Sequence, residues 1–147
     1  MKRLFISFLL LLTAVSVALP LSSQVRWKTT AVQIDERDFI VHISADLDSS
    51  WHIYSGRAAD DVATRIIFLS NPMIEKLGQT AENGKMLTIG KHRKVYLQHA
   101  EFIQALRVKD TKTPIAVKGV INYQTSNRNG SIVHRTQEFT VVLSKEN

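Results

Sequence analysis

Between Phe39 and Leu47 every odd position is apolar (Phe39, Val41, Ile43, Ala45, Leu47), while the even positions include His42, Ser44 and Asp46. Side chains of an extended strand alternate between two faces, so a period of two gathers the apolar set on one side and the polar set on the other. A helix would scatter the same residues around its circumference. The segment therefore reads as a half-buried strand, and its apolar face needs a second apolar layer to pack against.

The rest of the chain repeats this logic in shorter pieces. Val25 to Ile34 is rich in β-branched residues and ends at the polar turn Asp35-Glu36-Arg37-Asp38. Trp51 to Ser55 and Thr64 to Leu69 read as short strands, with a loop at Asp48-Ser49-Ser50 and a turn at Asn71-Pro72. Met73 to Leu77 fits either a strand or one helical turn, and Glu82-Asn83-Gly84-Lys85 reads as loop. Glu101 to Val108 and Ile115 to Tyr123 are strands separated by the polar run Lys109 to Pro114. Asn129-Gly130 is a pair that tolerates positive φ in a tight hairpin, and Ile132 to Leu143 follows it with Phe139, Val141 and Leu143 on one face. About eight strands with short turns and no amphipathic helix predict an all-β, antiparallel β-sandwich. Hydrophobic residues at 44% and charged residues at 22% separate the chain from disordered sequences.

Residues 1–23 follow a different rule. Lys2 and Arg3 precede an apolar run from Leu4, small residues close it, and Ser16-x-Ala18 or Leu21-x-Ser23 offers a cleavage site. This is the layout of a secretory signal peptide. The apolar stretch from Leu4 to Leu19 is 16 residues, short of the roughly 20 that span a bilayer, which disfavours a retained anchor. The expected organisation is a signal peptide at 1–23 and one domain at 24–147, exported to the periplasm and not inserted in the membrane after cleavage. Cleavage removes two basic charges and no acidic ones, so the net charge of +6 overstates how basic the mature protein is.

Few residue patterns point to chemistry. There is no cysteine, which excludes disulfides, thiolate metal sites and cysteine nucleophiles. His42, His52, His92, His99 and His134 are scattered without ligand-type spacing, and neither a metal site nor a cofactor is expected. Ser126 and Ser131 lie on no Gly-x-Ser-x-Gly elbow, and Asp60-Asp61 reads as solvated charge. Ser131 and His134, three residues apart on a strand, would face opposite ways, so a serine hydrolase is disfavoured and no catalytic residue is assigned. Lys91-His92-Arg93-Lys94 is the one dense basic run. It reads as a solvated loop; without surrounding aromatic platforms it does not suggest a nucleic-acid partner, and an anionic envelope component is the alternative. Trp51, Tyr54 and Tyr123 read as core or core-edge aromatics.

Two stretches together resemble a family. Trp51-His-Ile-Tyr54-Ser55 is similar to the W-H-I-Y-S segment in the amino-terminal domain of the thiol:disulfide interchange protein DsbD and its stand-alone relatives, the disulfide bond corrector family. Gly119-Val-Ile-Asn-Tyr123-Gln-Thr-Ser126-Asn-Arg-Asn-Gly-Ser131 resembles that family's G-x-(V/I)-x-Y-x-x-C-N-x-x-x-C hairpin. The resemblance covers about Val25 to Leu143 and implies an immunoglobulin-like sandwich. It places the two family redox cysteines on Ser126 and Ser131, close enough across a hairpin to bridge, about 4.4–6.8 Å between Cα atoms. The family's cap loop, with its acidic pair, falls on Met86-Leu87-Thr88-Ile89-Gly90, where only Gly90 fits. Serine hydroxyls do not shuttle electrons by thiol exchange, so the redox pair and its acidic neighbours are lost together.

The resemblance therefore implies a redox-inactive binding module. Its expected partner face is Trp51, Tyr54, Gly90, Tyr96, Tyr123, Asn127 and Asn129, with Lys91, Arg93 and Lys94 as the basic run alongside. The implied partner is an envelope protein of thioredoxin-fold or DsbD-like type. Loops on a rigid scaffold are the usual seat of such a role.

Overall fold

The computed structural model describes residues 24–58, 61–91 and 93–145. The expected signal peptide, Asp60 and His92 lie outside these residues.

Eight strands follow one another: β1 (Val25–Gln33), β2 (Asp38–Leu47), β3 (Trp51–Tyr54), β4 (Arg65–Phe68), β5 (Ile74–Ile89), β6 (Arg93–Val108), β7 (Ile115–Asn127) and β8 (Ile132–Leu143). Every pairing is antiparallel. The all-β expectation holds, and Met73–Leu77 resolves as strand from Ile74 onward.

Two long hairpins organise the rest. In β5–β6, β6 holds β5 along one edge; its other edge pairs with β3 at residues 95–97 and with β2 at 99–107. In β7–β8, β7 holds β8 along one edge and pairs with β3 and β4 along the other. The four residues of β3 are thus hydrogen-bonded to both hairpins, and the sheet curls so that its two halves face each other.

The alternation in β2 does what its period requires. Phe39, Val41, Ile43 and Ala45 are buried against Ala100, Phe102 and Leu106 of β6, Val117 and Ile121 of β7, and Val141 and Leu143 of β8. Each large apolar side chain buried this way contributes about 1.5–3 kcal/mol. An aromatic contact joins the layers: Trp27 of β1 meets Tyr123 of β7 edge-on at 5.1 Å between ring centroids, while Tyr96 meets Phe102 edge-on at 6.4 Å along β6.

Glu82–Lys85, expected as a loop, belongs to β5. Its composition is poor for a strand, but two irregularities in the ladder accommodate it, one between Leu77 and Ala81 and one between Gly84 and Lys85. At the first, Gln104 is buried and its amide group takes over lost ladder bonds. Its Nε2 donates to the Leu77 and Ala105 carbonyls at 3.2 and 2.9 Å, and its Oε1 accepts from Thr80 Oγ1 at 2.9 Å. At the second, β6 has two extra residues, Gln98 and His99, and Gln98 takes φ +64°. That left-handed conformation is uncommon for a side chain larger than glycine, and it lies at the point where β6 exchanges β3 for β2.

Candidate functional site

One row of residues crosses five strands. Lys85 on β5 pairs with Leu97 on β6, Leu97 with His52 on β3, His52 with Ser126 on β7, and Ser126 with Ile132 on β8. Directly paired residues of antiparallel strands share a face, so all five side chains stand on one side of the sheet. All five line a single cleft of about 640 Å³ on the side of the sheet opposite the core.

The neighbouring row explains which residues stay out of the cleft. Met86, Tyr96, Ile53 and Thr125 stand one position along from the first row and point the other way. Tyr96, at 1% exposure, and Tyr123, at 3% and of the same parity as Thr125, are core residues. Both were expected on the partner face, and strand alternation turns them away from it; the burial of Tyr123 agrees with its other reading as a core or core-edge aromatic.

Of the other expected face residues, Trp51, Tyr54 and Asn127 do line the cleft. Gly90 lies in the turn at the tip of β5–β6, and Asn129 is exposed in the β7–β8 turn. From the basic run, Arg93 lines the cleft, while Lys91 and Lys94 are exposed without lining it. The cleft gathers instead cations far apart in sequence: Lys85, Arg93 and Arg128. No aspartate or glutamate lines it, and among the described residues none of the three cations forms an ion pair with a carboxylate. His52 adds no charge at neutral pH, because partial burial holds its pKa below the usual histidine value.

An apolar strip runs along the walls, beside the polar side chains of Ser49, Ser50, Gln98 and Asn127. Leu87 and Ile89 follow Lys85 at two-residue steps on the same face of β5, Leu97 lies in the floor, and Ile132 faces in from β8. Leu87 is 48% exposed and Ile132 57%. Ile89 also packs on the small cluster of Tyr54, Val62 and Val95, which closes one side. Lys85, Leu97 and Ile132 escaped the sequence reading because only strand register brings them to the cleft.

The hairpin that would carry a redox pair is well defined. Ser126, 5% exposed, donates through Oγ to the Tyr54 phenol oxygen at 3.2 Å. Asn127 closes the turn: its N–H donates to the Ser131 carbonyl at 3.1 Å, and its Oδ1 accepts from the Asn129 and Ser131 N–H groups at 3.1 and 3.0 Å. Gly130 has φ +78°, which the turn needs and a side chain would oppose. Ser131 lies in the exposed turn, so the residue facing Ser126 is Ile132. His134 pairs with Gln124 on the ladder, and neither serine is its ladder partner.

Behind the cleft a carboxylate ties three elements together. Glu82 Oε2 accepts from Ser55 Oγ at 2.6 Å and from the Tyr96 hydroxyl at 2.9 Å, and the Arg57 N–H donates to Ser55 Oγ at 3.0 Å. Burial, reinforced by the Glu82 carboxylate, pushes the Tyr96 phenol up to about 12. This network fixes the loop after β3 to the β5–β6 hairpin. Among the described residues no group of histidines and carboxylates is placed to hold a metal ion.

No family model and no curated protein matches the chain. Solved structures do. The Neisseria meningitidis DsbD N-terminal domain in its reduced form superposes with a TM-score of 0.55 at 16% identity, covering 88% of this chain and 92% of that one. The N-terminal periplasmic domain of ScsB from Proteus mirabilis gives 0.52 at 15% identity over 79% of this chain, which spans only 44% of that one. Among the described residues no helix is long and apolar enough to cross a membrane. The chain has the fold of these N-terminal domains, an immunoglobulin-like antiparallel β-sandwich.

Proposed function

We propose that this chain is an exported, redox-inactive relative of the DsbD N-terminal domain that works as a protein-binding module in the periplasm. The observation that carries the reading is the convergence of three segments, β3, the β5–β6 tip and the β7–β8 turn, on one open cleft whose walls include exposed Leu87 and Ile132. The chain has no thiol of its own, so any link to disulfide exchange runs through a partner's cysteines. An envelope protein of thioredoxin fold is the partner class the fold suggests. Exposed apolar side chains around a concavity on a rigid sheet are suited to such docking.

The test is binding of the purified chain to periplasmic thioredoxin-fold proteins, measured by surface plasmon resonance. Asn129→Pro removes the N–H that Asn127 Oδ1 accepts and reshapes the turn. The expected result is a saturable complex weakened at least tenfold by Asn129→Pro, with an unchanged circular dichroism spectrum. A complex that survives in the folded variant rules out this face; no complex with any such protein overturns the partner class.

A further inference from the structure

The cleft has a second property that protein docking does not require. It is concave, its volume lies in the range of small-molecule sites, and its charge has one sign. Three cations ring the mouth from both walls, Lys85 and Arg93 from the β5–β6 hairpin and Arg128 from the β7–β8 turn, with no acidic residue among the lining. The same lining holds an apolar strip of Trp51, Leu87, Ile89, Leu97 and Ile132. Beside it stand the uncharged polar side chains of Ser49, Ser50, His52, Gln98 and Asn127. The hydroxyls of the two buried lining residues answer each other, Ser126 to Tyr54, so a ligand's apolar part need not satisfy them.

A trough with an apolar strip and exposed cations as its only charged side chains selects for a molecule of the opposite construction. A multiply charged hydrophilic anion would leave the apolar walls wet, and a neutral hydrocarbon would leave the three cations unused. A cationic amphiphile would meet like charge from three exposed cations and find no carboxylate in the lining. We propose that the cleft binds a single-chain amphiphile with an anionic head, of the fatty-acid type. The chain lies against Leu87, Leu97 and Ile132, and the head stays at the rim within reach of the cations. A carboxylate there exchanges little hydration, because rim cations remain in water, while the tail gains about 0.8 kcal/mol for each buried CH₂. The tail therefore supplies affinity and the rim supplies the choice of head-group sign. The proposal needs no protein partner and stands or falls separately from the docking reading.

Isothermal titration calorimetry of the purified chain in low salt tests it, with dodecanoate below its micellar concentration as the probe. Dodecyltrimethylammonium shares the tail with the opposite charge, and acetate shares the head without the tail. Saturable binding of one dodecanoate, at least tenfold tighter than dodecyltrimethylammonium and with no heat from acetate, supports the site. Lys85→Glu combined with Arg128→Glu should weaken dodecanoate at least tenfold, and Leu87→Asn, at an exposed position that folding tolerates, should weaken it severalfold. Equal affinity for both dodecyl compounds, no saturable binding, or unaltered affinity in charge-reversed chain of unchanged melting temperature overturns it.

Discussion

Ser126 and Ile132 stand opposite one another across the β7–β8 ladder, one buried and the other more than half exposed, both on the cleft side. The Asn127 N–H bond to the Ser131 carbonyl makes 127/131 the hydrogen-bonded closing pair. The next pair inward, 126/132, is then of the non-hydrogen-bonded type, with Cα atoms about 4.5 Å apart. That spacing lies within the range a disulfide spans.

The double variant Ser126→Cys with Ile132→Cys is therefore expected to oxidise in air. Ser126→Cys with Ser131→Cys, whose second position is in the exposed turn, is expected to lag well behind. Thiol titration and intact mass on the folded proteins measure the difference. Faster closure of the 126/131 pair would show that the turn register is wrong.

Gly119 has no room for a side chain. A Cβ there would stand 2.2 Å from Phe139 Cζ and 2.7 Å from the Ile67 carbonyl oxygen. The ring of Phe139 can shift, but the β4 backbone is pinned to β7 by the ladder. Gly119→Ala should cost about 1–3 kcal/mol, read from urea denaturation. A smaller side chain at position 139 should restore only part of it, because the carbonyl clash remains.

Tyr96 ties stability to alkaline pH. Its phenol titrates near 12 in the folded chain against about 10 unfolded, so its contribution is fully present below pH 10 and is lost as pH rises from 10 through 12. Tyr96→Phe removes the bond to Glu82 and should cost about 1.5–3 kcal/mol at neutral pH. Its loss of stability between pH 10 and 12 should be shallower than that of the parent. Parallel curves would place the alkaline transition elsewhere.

His52 acts at the other end of the scale. Burial lowers its folded pKa below the ordinary 6.5, so the unfolded chain takes up the proton first and stability falls as pH drops from about 6.5 through the folded value. His52→Gln should flatten that part of the curve of melting temperature against pH. Asp38, held low by its bond to Arg107, loses its contribution only below about pH 4 and leaves the histidine window clear.

What the sequence showed and what it hid have separable physical causes. The burial of Phe39, Val41 and Ile43 was legible because alternation is a local property that every strand residue displays. The hairpin at Asn129-Gly130 was legible because its φ requirement selects residue type. The strand character of Glu82–Lys85 was hidden, since Gln104 and the irregularities that rescue it are distant in sequence. The row from Lys85 to Ile132 was hidden for the same reason. Tyr96 and Tyr123 were misplaced because a motif gives proximity along the chain, whereas a face is decided by odd or even position.

The short β3 strand forms part of the cleft wall and is also the joint between the two hairpins. An occupant that grips Trp51 and His52 thereby clamps the hinge on which the halves of the molecule meet. Occupancy would travel outward as stiffness, slowing amide exchange in β6 and β7 at residues it never touches.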